Sequence, residues 1–460
     1  MKPLSKILFG LFGAAVIAGG IFGFFRLEGT PPVLEIRDLP DALGASRDIV
    51  VEASDPGSGL RRIRIAVTTD EGERVLEERS FPSANFFAGG RVRRETLTVA
   101  LDPKALRLPD GDIQFRVTAR DFAWRRWWNG NVSEIERTVR IDTQPPRIEV
   151  LTDQHNIAPG GSALVVYRLS EPCDHSGVRV GENFFPGHPA DAVLGKNPPH
   201  LYLCFFALDY RQGRETPIAL EAMDAAGNIG RAGFYHHIRA RNFPSDDLRI
   251  SEGFLQQILP TFQSDLDRME PAVPESPVER FLAVNRELRR RDVAVLRSAT
   301  RNTDAALHWS GAFVRLPNAA RRAGFADHRR YLHEGEEIDR QVHLGIDLAS
   351  VARAPVPAAN AGRVVLVADV GIYGGTVMID HGFGLFSQYS HLSRFTTEEG
   401  RMVEKGDVVG HTGLTGLAGG DHLHLGMMVH DTFVDPVEWW DGQWIRNNVL
   451  NKIEAVRARP

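Results

Sequence analysis

Apolar and polar positions change rhythm several times along this chain. From Ile7 to Phe25 no charged residue occurs, with Lys2 and Lys6 before the run and Arg26 after it. A stretch this close to the ~20 apolar residues that cross a hydrocarbon core as a helix predicts a membrane anchor with a cytoplasmic N-terminus. A cleaved leader is the other reading, but Phe24-Phe25-Arg26-Leu27-Glu28 lacks the small-residue cleavage pattern it needs. Beyond the run, short segments alternate with a period of two, as in Ile49-Val50-Val51-Glu52-Ala53 and Ile63-Arg64-Ile65-Ala66-Val67, between turns rich in Asp, Pro, Gly and Ser. These predict half-buried strands. From about residue 244 to 302 the spacing becomes helical: Phe254, Leu255, Ile258 and Leu259 recur, then Phe281, Leu282, Leu288, Val293 and Leu296. Strands return afterwards in Gly362–Ala368, Thr376–Asp380 and Leu385–Ser390. The expected fold is mainly β.

Two stretches open alike, Thr30-Pro31-Pro32-Val33-Leu34-Glu35-Ile36 and Gln144-Pro145-Pro146-Arg147-Ile148-Glu149-Val150, and end alike, at Phe115–Asp121 and Ile218–Asp224. A repeat of about a hundred residues built from short strands predicts two β-sandwiches, which resemble the immunoglobulin-like modules of bacterial surface proteins. The expected layout is an anchor over 1–29, sandwiches over 30–143 and 144–243, a helical linker over 244–302 and a C-terminal unit over 303–450. Trp124, Trp127 and Trp128, flanking Arg125 and Arg126, read as a structural cluster rather than a sugar-stacking platform. Cys173 and Cys204 are the only cysteines, and the sequence leaves open whether they form a disulfide or stay separate thiols. The run Arg289-Arg290-Arg291 reads as a solvated helix face, with contact to an acidic polymer as the lesser reading.

Composition narrows the classes. With 460 residues the chain exceeds one ordinary core, and 43% hydrophobic with 25% charged residues is globular rather than disordered. A net charge of −5 gives no global electrostatic reason to expect nucleic acid as a partner.

The chemistry concentrates late in the chain. His343 and Asp347 stand four apart with Gly345 between them, and His422 and His424 stand two apart. Two imidazoles and a carboxylate are a common protein contribution to a catalytic zinc, leaving a fourth position for water. On residue types alone, either His422 or His424 completes the set while the other stays beside it. His391 ends a predicted strand and adds a further imidazole for proton transfer or for an oxyanion. His328, His333, His381 and His411 read as solvated or structural.

The motifs His343-x-x-x-Asp347, Tyr389-x-His391-Leu392, Val403-x-Lys405-Gly406-Asp407-x-Val409-Gly410, Thr412-Gly413-x-Thr415-Gly416 and His422-x-His424 follow one another in the order seen in lysostaphin-type (LytM-like) zinc endopeptidases. Residues from about 340 to 440 resemble that family. The resemblance implies an antiparallel β metallopeptidase domain holding one Zn2+ per chain through His343, Asp347 and His424. It also implies His391 and His422 as the catalytic histidines, and peptidoglycan peptides as substrate. Asp421 stands where the family often has proline. The expected protein is an inner-membrane-anchored peptidase working outside the cytoplasm, its sandwiches serving as spacers or as a surface for a protein partner. Two alternatives stand beside it: a non-catalytic scaffold that activates another cell-wall hydrolase, and a zinc peptidase acting on an exported protein.

Overall fold

A computed structural model describes residues 3–85, 89–195 and 199–458, so Lys2 of the N-terminal charge pattern lies outside the described residues. The chain divides into two compact units.

The first unit takes residues 1–145 with 223–229. It begins with a helix, Pro3–Arg26. Among the described residues, no helix meets the length and hydropathy expected of a membrane span. Two sheets follow. One has three strands in the order Val33–Arg37, Arg47–Ser54, Arg94–Leu101. The other has five, Ala42–Leu43, Val132–Ile141, Gly111–Asp121, Leu60–Thr69 and Gly72–Ser80. Alternation does what the pattern predicts: in Gly111–Asp121 every second residue, from Ile113 and Phe115 to Val117 and Ala119, is buried. These side chains meet Ile49, Val51 and Leu101 of the smaller sheet in one core. Trp127 is 93% exposed, and Arg126, Trp127 and Trp128 all have left-handed φ angles of 48°, 56° and 71°.

The second unit takes residues 146–222 and 230–460. Its N-terminal part again forms two four-stranded sheets, one running Ile148–Val150, Ser162–Leu169, Leu201–Ala207, His188–Pro189. Ser162–Leu169 is buried almost without alternation, because both of its faces are covered. The C-terminal helix Asn451–Arg457 is part of that cover, and Lys452 Nζ donates to the Leu164 carbonyl at 3.1 Å. Trp439 packs edge-on against Phe205 with ring centroids 5.8 Å apart. Cys173 is half-buried and Cys204 is buried.

The C-terminal part is a ten-stranded sheet. Its central run is Ile346–Ala349, Leu423–Val429, Leu385–Phe395, Gly374–Gly382 and Gly362–Val370, paired antiparallel throughout. Beside it, Ser245–Arg249, Asp327–His333 and Glu336–His343 make a three-stranded sheet whose first pair is parallel. The helical stretch, including Glu252–Ile258, Pro277–Ala283 and Arg289–Ala299, packs its apolar positions Leu255, Phe281 and Leu296 into the same core as the large sheet. The order is thus mainly β, with the helices set between two β regions as the spacing of apolar residues predicts.

Candidate metal centre

His343 is the last residue of its strand, and Asp347 is the second residue of the next one. Only Leu344 and Gly345 lie between those strands. Gly345 is required for room rather than for a left-handed turn: a Cβ there would come within 2.5 Å of the His424 ring. Asp347 pairs across the sheet with His424, and His424 pairs on its other side with Ser390. The three side chains therefore meet at the centre of the sheet, 5%, 9% and 4% exposed.

Their polar atoms converge. His343 Nε2 lies 2.9 Å from Asp347 Oδ1 and 2.9 Å from His424 Nδ1, and the remaining edge of the triangle is 3.0 Å. Bonds of 2.0–2.1 Å at tetrahedral angles put donor atoms about 3.3 Å apart, so a zinc-sized ion fits with small adjustments. The surroundings support the same conclusion. His343 Nδ1 donates to the Gly324 carbonyl at 2.8 Å, which leaves Nε2 with its lone pair towards the centre. Arg329 donates to the other oxygen of Asp347, Oδ2, at 3.0 Å, leaving Oδ1 for the centre. Two ring nitrogens and an anionic oxygen this close need a shared proton or a cation among them.

His391 and His422 stand beside this triangle. Their rings are 4.7 Å apart, and the His391 ring is 5.9 Å from that of His424. His391 Nδ1 donates to the Thr415 carbonyl at 2.8 Å, and His422 Nδ1 to the Gly420 carbonyl at 2.7 Å. Each thus keeps Nε2 uncommitted to the backbone, and His422 Nε2 is 3.6 Å from Asp347 Oδ1. His391 adopts a left-handed φ of 62°, a conformation costing roughly 1–2 kcal/mol for a residue with a Cβ and one that concentrates at functional sites.

Burial governs the titration of these groups. It pushes His391 down to about 3, with His422 and His424 adding to the effect, and it lowers His424 to about 4. For His422 burial acts in the same direction, but the Asp347 carboxylate outweighs it and the pKa is raised. Burial alone would raise Asp347; the imidazoles of His343, His422 and His424 instead hold it well below the usual carboxylate range. Neutral imidazoles and an ionised carboxylate are the forms that bind a metal.

All five residues singled out by motif therefore come together, while other histidines do not. His381 is buried with both ring nitrogens satisfied, by the Ala361 carbonyl at 2.7 Å and Ser387 Oγ at 2.8 Å. His333 Nδ1 binds the Ile250 carbonyl. Asp421, standing where proline is common, accepts from Thr412 Oγ1 at 2.6 Å and from the Arg353 amide at 3.1 Å, so it ties the entry of the His422–His424 segment to the end of the strand Val408–Thr412 and to the turn at Arg353.

Four residues at the site carry no local signal. Arg329 contacts Asp347 as described. Tyr373 packs 5.6 Å from the His424 ring, and Asp292, on the helix Arg289–Ala299, accepts from the amide of Ile372 at 2.7 Å. Arg289 lines the groove of ≈ 360 Å³ over the metal centre, together with Phe254, Phe281, Arg249 and Arg322. The solvated-face reading holds for Arg290 and Arg291, which pair with Glu287, but not for Arg289. Helical amphipathicity alone does not reveal which arginine of a run turns inward.

Comparison with known proteins covers the same region. Residues 341–436 match peptidase family M23. The chain is 39% identical over 97 residues to the DD-carboxypeptidase/endopeptidase Mpg of Neisseria meningitidis serogroup B, covering 21% of this chain and 22% of that protein. It is 28% identical over 116 residues to the peptidoglycan DD-endopeptidase ShyB of Vibrio cholerae, covering 25% of this chain and 26% of that one. The catalytic domain of lysostaphin from Staphylococcus simulans aligns at 25% identity over 28% of this chain and 98% of its own, with a TM-score of 0.25. The chain thus spans about a quarter or less of the length of these curated relatives. The matched region holds His343, Asp347, His391, His422 and His424, and with it the chain carries, in its C-terminal part, a domain of peptidase family M23.

Proposed function

We propose that this protein is a zinc-dependent endopeptidase that hydrolyses peptide bonds in peptidoglycan. One observation carries the reading: His343 Nε2, Asp347 Oδ1 and His424 Nδ1 converge within 3.0 Å, with two further imidazoles alongside. The names of the relatives, DD-carboxypeptidase/endopeptidase and peptidoglycan DD-endopeptidase, support the substrate class.

In this reading His343, Asp347 and His424 hold one Zn2+. When bound, the ion supplies Lewis acidity for the attacking water and the scissile carbonyl. Arg329 keeps Asp347 to a single free oxygen, and the Gly324 carbonyl keeps His343 in the tautomer that can bind. His391 and His422 present Nε2 beside the centre: one takes the proton of the water, and the other stabilises the oxyanion or protonates the departing amine. The retained ligand set favours an enzyme over a scaffold.

The test uses full-length protein and purified peptidoglycan. Muropeptide release with zinc, lost with a chelator, with His424→Ala and with His391→Ala, supports the reading. Stoichiometric zinc without release of fragments defeats it.

The helix Pro3–Arg26 belongs to the same reading as an inner-membrane anchor, holding the peptidase in the periplasm. Its 24 residues span about 36 Å at 1.5 Å each, and Phe9, Phe12 and Ile17 are 80%, 69% and 65% exposed. Exposed Trp127 fits a bilayer interface, since neighbouring Arg125 donates to the carbonyl of Leu27, just past the helix, at 3.0 Å. In the first unit, parallel pairing of Ala42–Leu43 with the last strand supports the immunoglobulin-like reading, with spacing or partner binding as its role.

A further inference from the structure

We propose a second binding site, a carboxylate-binding cleft that extends the metal groove and holds an acidic segment of the peptide polymer; it rests on the peptidoglycan reading above. The cleft measures ≈ 830 Å³ and is lined along one side by the helix Arg289–Ala299. Six arginines line it, and they divide into two kinds. Arg211, Arg286 and Arg290 are neutralised by Asp209, Asp339 and Glu287 at 2.7, 2.8 and 2.7 Å. Arg289, Arg297 and Arg301 make no ion pair among the described residues, although Arg289 acts on the Asp292 carboxylate at longer range. Arg289 donates only to the backbone and side-chain oxygens of Asn285, at 3.0 and 2.7 Å. Arg297 donates to the Asp431 carbonyl at 3.1 Å. Arg301 has no side-chain hydrogen bond or ion pair among the described residues. The carboxylate of Asp431 is the one acid on the cleft wall, so positive charge prevails there.

Position decides the ligand. Arg289 lines both this cleft and the groove over His343, Asp347 and His424, so the two adjoin at its side chain. Arg289 and Arg297 stand eight residues apart, about 12 Å along the helix, and so address groups several atoms apart on one chain. A guanidinium binds a carboxylate through two parallel N–H donors. A peptide lying across the metal centre with its free carboxylates directed along the helix would meet Arg289 first, then Arg297 and Arg301. Pairing with Arg211, Arg286 and Arg290 occupies Asp209, Asp339 and Glu287, so these acids do not compete with the ligand for Arg289, Arg297 and Arg301.

The measurement is co-sedimentation of full-length protein in detergent with insoluble peptidoglycan, in chelator so that nothing is cut. Arg297→Gln/Arg301→Gln and a charge-keeping Arg297→Lys/Arg301→Lys are compared with the wild type. The polymer is used as isolated and after its carboxylates have been converted to amides. The expected result is a loss of bound protein of roughly five-fold or more for the glutamine pair, retention for the lysine pair, and the same loss for wild type on amidated polymer. Thermal melting of each variant separates lost binding from lost folding. Equal sedimentation of the glutamine pair and the wild type overturns the proposal. So does equal retention on amidated polymer, or competition by polyphosphate where polyglutamate has no effect. Arginine-dependent sedimentation without zinc-dependent fragment release would sink the hydrolase reading and leave this site standing. Fragment release with unaltered sedimentation would do the reverse.

Discussion

Three of the four imidazoles at the centre, those of His343, His391 and His422, commit Nδ1 to a backbone carbonyl. His424 is the exception, with Nδ1 turned to the centre. The backbone thus selects which nitrogen is offered, and neighbouring histidines present different ring atoms to the centre, which fits the division of roles proposed above. His424→Ala should abolish stoichiometric zinc, measured by elemental analysis of dialysed protein. His422→Ala should keep the metal yet lower kcat roughly 10²- to 10⁴-fold, the usual contribution of a proton-transferring group. Equal metal loss in both variants would refute the division. Arg329 tests the outer layer: Arg329→Ala should weaken zinc about 10- to 100-fold in a chelator competition, the usual penalty for losing a partner of a ligand. Unchanged affinity would make its bond to Asp347 incidental.

At the scale of elements, the short helix Pro436–Trp440 joins two β regions of the second unit. Glu438 on that helix accepts from the Ser162 amide at 2.9 Å and from Ser162 Oγ at 3.1 Å. Burial raises its pKa to about 7, against the opposing hydrogen bonds from Ser162. A carboxyl whose folded pKa is raised stabilises the fold fully below its unfolded value of 4.5, and that stability is lost as pH rises through about 7. Between pH 5 and 8 the wild type should therefore lose about 2–3 kcal/mol more than Glu438→Gln, which keeps the accepting oxygen and cannot ionise. Denaturant unfolding at several pH values reads this directly; parallel pH profiles for the two proteins would rule it out. The helix Arg289–Ala299 acts similarly at the site, where Asp292 holds the turn at Ile372 and Tyr373 against His424.

For the whole molecule, two units with separate cores predict two unfolding events. The proposed metal ligands His343, Asp347 and His424 all belong to the second unit. Calorimetry should then show one transition that moves up with zinc, by about 4 kcal/mol of stability at a thousand-fold excess over Kd, and one that stays put. A shift of both transitions, or a single transition, would contradict this. Deleting residues 1–26 should release the protein from liposomes in a flotation assay; continued flotation would remove the anchor from the reading.

The β character and the central residues were legible in the sequence because their signals are local. Alternation marks Gly111–Asp121 as a strand whatever it packs on, and His343, Asp347, His422 and His424 sit within a few residues of one another in two short segments. That those segments suit a metal ion also followed from residue types, since two imidazoles and a carboxylate are a common ligand set, whereas the choice between His422 and His424 came only from the resemblance of the motifs. The near-unbroken burial of Ser162–Leu169 did not follow, because it depends on a helix some three hundred residues away in the chain. Nor did Arg329 on Asp347, Tyr373 on His424, or the inward turn of Arg289 away from Arg290 and Arg291. Each of these contacts joins positions with no fixed spacing, so only the folded chain decides them. Sequence by itself determined the chemistry of the centre; tertiary structure decided which charges surround it, because long-range packing alone chooses which side chains lose their water.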